Sequence, residues 1–284
     1  MTKESVHNLP TVSTSQPAEP VDAIPPTAYV PPDEAYTRSR PLGLGENLRN
    51  LFIACIGEFV GTFMFLLFAY LIATVANYDK AAAGPNAAKI IMISFGFGFS
   101  LLVNVFIFFR VSGGQFNPCV TLALTLVGAV PPVRALCLAV TQLLAGMAAA
   151  GVADALTPGP VSFINTLGDG VSRTRGLWIE MFCTAQLCLT VLFLAVEKHR
   201  ATFMAPFPIG MSLFIGHLVA VFPTGAGINP ARSLGPCIVG KSFPHYHWIY
   251  WVGPILGSIF SVGLYHTLKF LDYETSNPGQ DNQD

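Results

Sequence analysis

The sequence is short of charge. Only 11% of its 284 residues are Asp, Glu, Lys or Arg, while 52% are hydrophobic and the mean hydropathy is +0.55. Soluble globular domains carry about 25% charged residues, so this is the composition of a polytopic membrane protein. The net charge of -1 leaves no basic face to neutralise a run of phosphates, which excludes nucleic acid as a partner. Closely spaced cysteine pairs are missing too. Cys55, Cys119, Cys137, Cys183, Cys188 and Cys237 all lie in apolar runs with no Cys-x-x-Cys spacing, so they read as small buried hydrophobes. Neither a disulfide framework, a metal site nor a cofactor is expected. The first fifty residues hold no apolar core beside a cleavage site, so no cleaved signal peptide is expected and the first membrane segment acts as its own signal. No Ser/His/Asp, metal-spaced or phosphate-loop constellation stands out, so an enzyme is not expected.

What is present begins with a tail. Residues 1–48 are rich in Pro, Ser, Thr and Ala and cannot bury enough apolar surface to fold alone. Pro25-Pro26, Pro31-Pro32 and Pro41 stiffen its second half, with Tyr29 and Tyr36 between them. A stiff stretch bearing aromatics about fifteen residues before the first membrane segment is within chain reach of that segment's end. Tyr36, or failing that Tyr29, is therefore the candidate gate of whatever opens there.

Six apolar segments follow, at roughly 51–77, 89–109, 133–156, 176–196, 205–223 and 246–271, each near the ~20 residues that span a bilayer. Between the second and third lies Gly113-Gly114-Gln115-Phe116-Asn117-Pro118-Cys119-Val120-Thr121, and between the fifth and sixth Gly225-Ala226-Gly227-Ile228-Asn229-Pro230-Ala231-Arg232-Ser233. Each reads as loop entering helix, because Asn caps and Pro at the first helical position needs no N–H partner. Too short to span and too apolar for an ordinary loop, each is expected to re-enter the membrane as a half-helix. Two such starts point to an inverted repeat with its site at the midplane. Segment one carries Glu58-Phe-Val-Gly-Thr62 and segment four Glu180-Met-Phe-Cys-Thr184, the same pattern at the same depth. Irregular backbone before each half-helix exposes N–H groups that need acceptors, and Glu58 and Glu180 are expected to supply them.

The expected architecture is thus an all-α membrane protein of six transmembrane helices and two re-entrant half-helices. Its channel domain runs over 49–272, in halves of about 49–165 and 170–272, between the tail and a polar C-terminal tail at 273–284. With the amino terminus inside, that side holds Lys3, Arg38, Arg40, Arg49, Arg110, Arg134, Lys198, Arg200 and Lys269, nine in all. The other side holds five, Lys80, Lys89, Arg173, Arg175 and Lys241, so both termini are expected in the cytoplasm.

Between residues 50 and 270 the chain resembles the aquaporins, or major intrinsic proteins, and within them the water-selective branch and the fungal type with a long amino-terminal tail. The resemblance rests on Ser112-Gly-Gly-x-x-Asn-Pro-x-Val-Thr121, on Asn229-Pro-Ala-Arg-Ser233 and on Ile215-Gly216-His217. It implies a right-handed six-helix bundle, half-helices meeting at mid-membrane, and a homotetramer with one pore per subunit in a membrane, the plasma membrane by preference. Its pore motifs map onto Asn117, Pro118, Cys119 and Asn229, Pro230, Ala231. Its selectivity filter maps onto Phe97, His217, Ala226 and Arg232, an aromatic and an imidazole facing an arginine across a narrow polar gap. Glycerol-conducting members usually have a small residue in place of the His and an Asp after the Arg; here these are His217 and Ser233, and Tyr250-Trp251 also resembles the water-selective branch.

The implied activity is passive conduction of water. Opposed half-helix amino termini each carry about half a positive elementary charge, and the Asn117 and Asn229 amides are expected to offer N–H donors to passing water, so that cations and protons are refused. Cys119 stands where the family usually has Ala, which raises the expectation of a thiol near the lumen. Ser112, in Arg110-Val-Ser112, could accept a phosphate, and a kinase would then be a partner. The alternatives are a channel for glycerol, ammonia or peroxide, or a secondary transporter using Glu58 or Glu180.

Overall fold

The computed structural model describes residues 45–78, 86–277 and 279. Among them are eight α-helices and no sheet: α1 Glu46–Ala76, α2 Ala87–Phe108, α3 Pro118–Leu126, α4 Pro132–Leu156, α5 Arg173–Val191, α6 Pro206–Thr224, α7 Pro230–Val239 and α8 Ile249–Phe270. The order long, long, short, long occurs twice. Three long helices per half reverse the direction of the second copy relative to the first.

Five long helices, all but α8, are apolar and long enough to cross a membrane, α5 being extended to Val196 by a π-helical turn at Leu192–Val196. Helix α8 matches the 22 residues of α2 in length, but its Tyr, Trp, Ser and His residues lower its hydropathy. It is the sixth segment expected from sequence.

The buried faces of these helices collect the small and the polar residues. Along α1 the buried stripe is Ala54, Gly57, Glu58, Gly61, Thr62, Phe65, Leu66, Ala69, Tyr70 and Ala73, while Phe52, Ile53, Ile56 and Phe68 are exposed. Lipid tails are as apolar as Leu, so the small residues of the buried stripe let helices approach closely, beside Phe65, Leu66 and Tyr70 that fill the core, and the exposed face keeps large apolar side chains. Two close crossings show it. A Cβ on Gly210 of α6 would lie 2.7 Å from the Gly98 carbonyl of α2, and one on Gly235 of α7 would lie 2.4 Å from the Gly146 carbonyl of α4.

Helices α1, α2 and α4 pack as one group and α5, α6 and α8 as its counterpart, and the two groups meet along α2 and α6. Each half-helix crosses over: α7 packs on α4 of the first half, and α3 on α8 of the second. The short helices therefore fasten the two halves to one another.

Candidate functional site

Each half-helix begins as its sequence dictates. The Asn117 side chain accepts the Cys119 N–H at 2.9 Å, and Asn229 accepts those of Ala231 at 2.9 Å and Arg232 at 3.4 Å, with Pro118 and Pro230 at the first helical position. Only the side-chain oxygen is used in capping, so the amide nitrogen can reach outward. Asn117 donates to the Ile228 carbonyl at 3.0 Å and Asn229 donates to the Phe116 carbonyl at 2.8 Å. This reciprocal pair joins the two caps. One N–H of each amide is thus committed to the opposite loop, and one remains for a passing molecule.

The loops that deliver the caps are strained alike. Phe116 has φ of 50° and Ile228 φ of 58°, a left-handed conformation that is costly for bulky and β-branched side chains. Buried carboxylates hold it. Glu58 accepts from Ser112 Oγ at 2.7 Å, Gln115 N at 2.9 Å, Phe116 N at 2.8 Å and Gln142 Nε2 at 2.8 Å. Glu180 accepts from Thr224 Oγ1 at 2.6 Å, Gly227 N at 2.9 Å and Ile228 N at 2.6 Å. Ser112 and Thr224 occupy the same place five residues before their asparagines. Both carboxylates are fully buried and bound by donors of the re-entrant loops, so they are structural ligands of those loops.

A chain of cavities runs past these caps. At the end where α1 begins is a mouth of about 440 Å³, lined by Phe109, Arg134, Val196 and Lys198 among others. It shares Phe109, Gly113, Gln115, Leu124, Val191 and Ala195 with a narrow lumen of about 30 Å³ that reaches Asn117, Asn229 and Leu213. A single water needs about 10–15 Å³ of such space, so the lumen has the scale of a short file of waters. At the other end a mouth of about 240 Å³ is lined by Lys89, Ser162, Phe163, Gly225 and Arg232. No lining residue is common to this mouth and the lumen, and the span from Asn229 to Arg232 separates them.

Three of the four expected filter residues meet in that span. The Phe97 and His217 rings stack with centroids 4.2 Å apart, and the Arg232 guanidinium carbon lies 4.8 Å from the Phe97 centroid. Phe97 therefore touches both partners instead of facing the arginine across a gap. Arg232 donates from Nη1 to the Phe163 carbonyl at 2.7 Å and from Nη2 to the Gly225 carbonyl at 3.3 Å. Its Nε has no partner among the described residues. His217 Nδ1 lies 3.0 Å from the Leu213 carbonyl, which can only accept, so Nδ1 carries the proton and Nε2 of the neutral ring is an acceptor left unpaired among the described residues. A donor and an acceptor thus stand together at one narrow place. Ala226, fully buried with φ of 52°, follows directly on the Gly225 that anchors Arg232.

The sequence profile of the Major intrinsic protein family matches residues 47–265. The chain belongs to that family. It is 50% identical over 253 residues to Aquaporin-2 of Saccharomyces cerevisiae, covering 87% of this chain and 88% of that protein. It is 49% identical over 271 residues to Aquaporin-7 of Botryotinia fuckeliana, covering 91% of this chain and 60% of that longer relative. The X-ray structure of the aquaglyceroporin from Plasmodium falciparum superposes with a TM-score of 0.65 over 77% of this chain and 99% of that one, at 17% identity, a likeness of fold. This major intrinsic protein is a multi-pass membrane channel and not an enzyme.

Two expectations need correction in this channel. Cys119 does not face the lumen: it is 2% exposed and absent from the cavity lining, because helical spacing turns Asn117, Val120 and Leu124 to the water path and Cys119 toward α8, where its carbonyl accepts from Ser258. Ser112 is not an open phosphate acceptor, since it is 5% exposed and its hydroxyl is spent on Glu58 and on the Gly114 N–H. Tyr29 and Tyr36 lie outside the described residues. The sequence reading missed Gln142, Tyr70 and Phe163. Gln142 was findable as the one side-chain amide of the segment at 133–156.

Proposed function

We propose that this major intrinsic protein conducts water passively along osmotic gradients and refuses ions, protons and larger solutes. The observation that carries the reading is the cluster of Phe97, His217 and Arg232 between the lumen and the outer mouth. The stacked rings leave little width, Arg232 donates, and His217 Nε2 accepts, so water exchanges its hydrogen bonds with little loss. A cation would shed its water against a fixed positive charge and two half-helix amino termini, and nothing in the cluster returns that energy. Asn117 and Asn229, each with one N–H to spare, orient the passing oxygen at the centre. A transporter reading fares worse, because both oxygens of Glu58 and of Glu180 are engaged by donors that hold the re-entrant loops. Stopped-flow light scattering of reconstituted vesicles tests the proposal: osmotic water flux well above that of empty vesicles, with glycerol flux near theirs, is expected. Comparable glycerol flux would reject water selectivity.

The same reading puts both termini in the cytoplasm of a plasma-membrane protein, on the nine-to-five distribution of Lys and Arg, and makes the assembly a homotetramer with a lumen in each subunit. The amino-terminal tail is read as a gate of conduction, with Tyr36 or Tyr29 as the candidate plug. Deleting residues 1–36 is expected to raise water flux at equal protein density, and unchanged flux rejects the closure.

A further inference from the structure

Pro236 lies inside α7, four residues after Arg232. In an α-helix the carbonyl of Arg232 would accept the N–H of residue 236, and proline has none. The carbonyl is nonetheless paired: the Tyr70 hydroxyl, from the first helix, donates to it at 2.8 Å. Tyr70 is fully buried and does more than this. Its ring stacks on Phe163, centroids 4.5 Å apart and planes 15° apart, and the Phe163 carbonyl is the acceptor of Arg232 Nη1. The same ring lies under the guanidinium, 5.5 Å from its carbon to the centroid, and meets Phe97 edge-on at 6.3 Å. Tyr70 thus touches the backbone of Arg232, the residue that supplies one of its two side-chain acceptors, and its charged face.

The first half has no counterpart. Twelve residues after Glu58 stands Tyr70, but twelve after Glu180 stands Leu192, and seven after Asn229 stands Pro236, but seven after Asn117 stands Leu124, which keeps its N–H. The repeat thus departs from its own symmetry where one half carries Arg232 and the other Val120.

We propose that Tyr70 is a specificity-determining positioning residue of this channel, its hydroxyl standing in for the helix donor that Pro236 lacks so that the Arg232 guanidinium is held at the constriction. The inference rests on the water-channel reading above. Loosening Arg232 lets its guanidinium swing and widens the gap, which matters to glycerol more than to water.

The test measures the ratio of glycerol to water permeability in vesicles containing the full-length chain. Tyr70→Phe removes one oxygen and is expected to raise the ratio about fivefold, what one hydrogen bond of ordinary net strength is worth. Pro236→Ala restores an N–H beneath Arg232, so the Tyr70→Phe/Pro236→Ala double variant is expected to return the ratio toward wild type. In an Arg232→Val background, Tyr70→Phe should no longer move the ratio. A selective wild type whose ratio is unmoved by Tyr70→Phe, or moved without rescue by Pro236→Ala, overturns the inference alone. A wild type that passes glycerol as fast as water overturns the water reading and the inference with it. If Tyr70→Phe fails to fold, a double variant that folds with a wild-type ratio supports the surrogate donor, and one that does not overturns it.

Discussion

A buried carboxylate is tolerable here only because loop donors meet both of its oxygens. Glu180 meets the N–H groups of Gly227 and Ile228 and the Thr224 hydroxyl, and of these only the hydroxyl can turn from donor to acceptor. In Glu180→Gln one oxygen becomes an NH₂ group, and either placement sets it against a backbone N–H. The expected cost is about 1–3 kcal/mol for the donor left unsatisfied, in a loop already carrying Ile228 at φ of 58°. Thermal unfolding in detergent checks it, and an unshifted midpoint would mean that the loop holds itself. Both glutamates were legible because an acid twice repeated at one depth in apolar sequence must have partners. Tyr70 was not legible in the same way. A tyrosine in a membrane helix suggests nothing specific until Pro236 is seen to deprive Arg232 of its helix donor, and that relation joins residues 162 positions apart.

At the scale of the element, boundaries followed from hydropathy and from the Asn-Pro starts, because length and capping are local properties. Contact faces did not follow, because lipid-facing and protein-facing sides both carry large apolar side chains. The glycines carry that missing information. A Cβ on Gly146 would lie 2.4 Å from the Ala231 carbonyl, backbone that cannot step aside, whereas one on Gly263 would meet nothing within 4 Å. Gly146→Ala should therefore lower stability by about 1–3 kcal/mol, the usual cost of overpacking, while Gly263→Ala is silent. Equal midpoints for the two would refute the account of the α4–α7 crossing. Helix α8 ends in a second element-level feature, where Lys269 bridges Glu197 at 3.2 Å and Glu274 at 2.7 Å and the Tyr265 hydroxyl donates to Glu197. Burial raises the Glu197 carboxyl, but hydrogen bonds from Tyr265 and Lys269 outweigh it and hold the group below its ordinary 4.5. A depressed carboxyl contributes stability that is present above 4.5 and is lost as the pH falls through its lower folded value. Protease cleavage near Tyr273 should accordingly rise in vesicles brought below about pH 4.5, and Lys269→Met should produce the same exposure at neutral pH. Exposure that is indifferent to both would remove the bridge as the fastening.

For the molecule as a whole, the duplication could be read from the paired Glu-x-x-x-Thr and Asn-Pro patterns, and the odd number of spans in each half turned the second copy over. How the copies are joined could not be read, since each half-helix packs on a long helix of the other half, α7 on α4 and α3 on α8. At the centre the joint is reciprocal: Asn117 donates to the Ile228 carbonyl and Asn229 to the Phe116 carbonyl. Each asparagine therefore caps its own helix and closes the interface for the other. Asn117→Ala or Asn229→Ala alone should cost about 1 kcal/mol for the cap, plus a further share for the carbonyl left unpaired across the joint. Once one bond is gone the loops are free to part, and the second bond has less to hold. The double variant should consequently cost less than the sum of the two singles, by about 0.5–3 kcal/mol, the range seen for residues sharing a contact. Unfolding of the four proteins in detergent measures this directly. Costs that simply add would mean that the two bonds across the joint hold independently of one another.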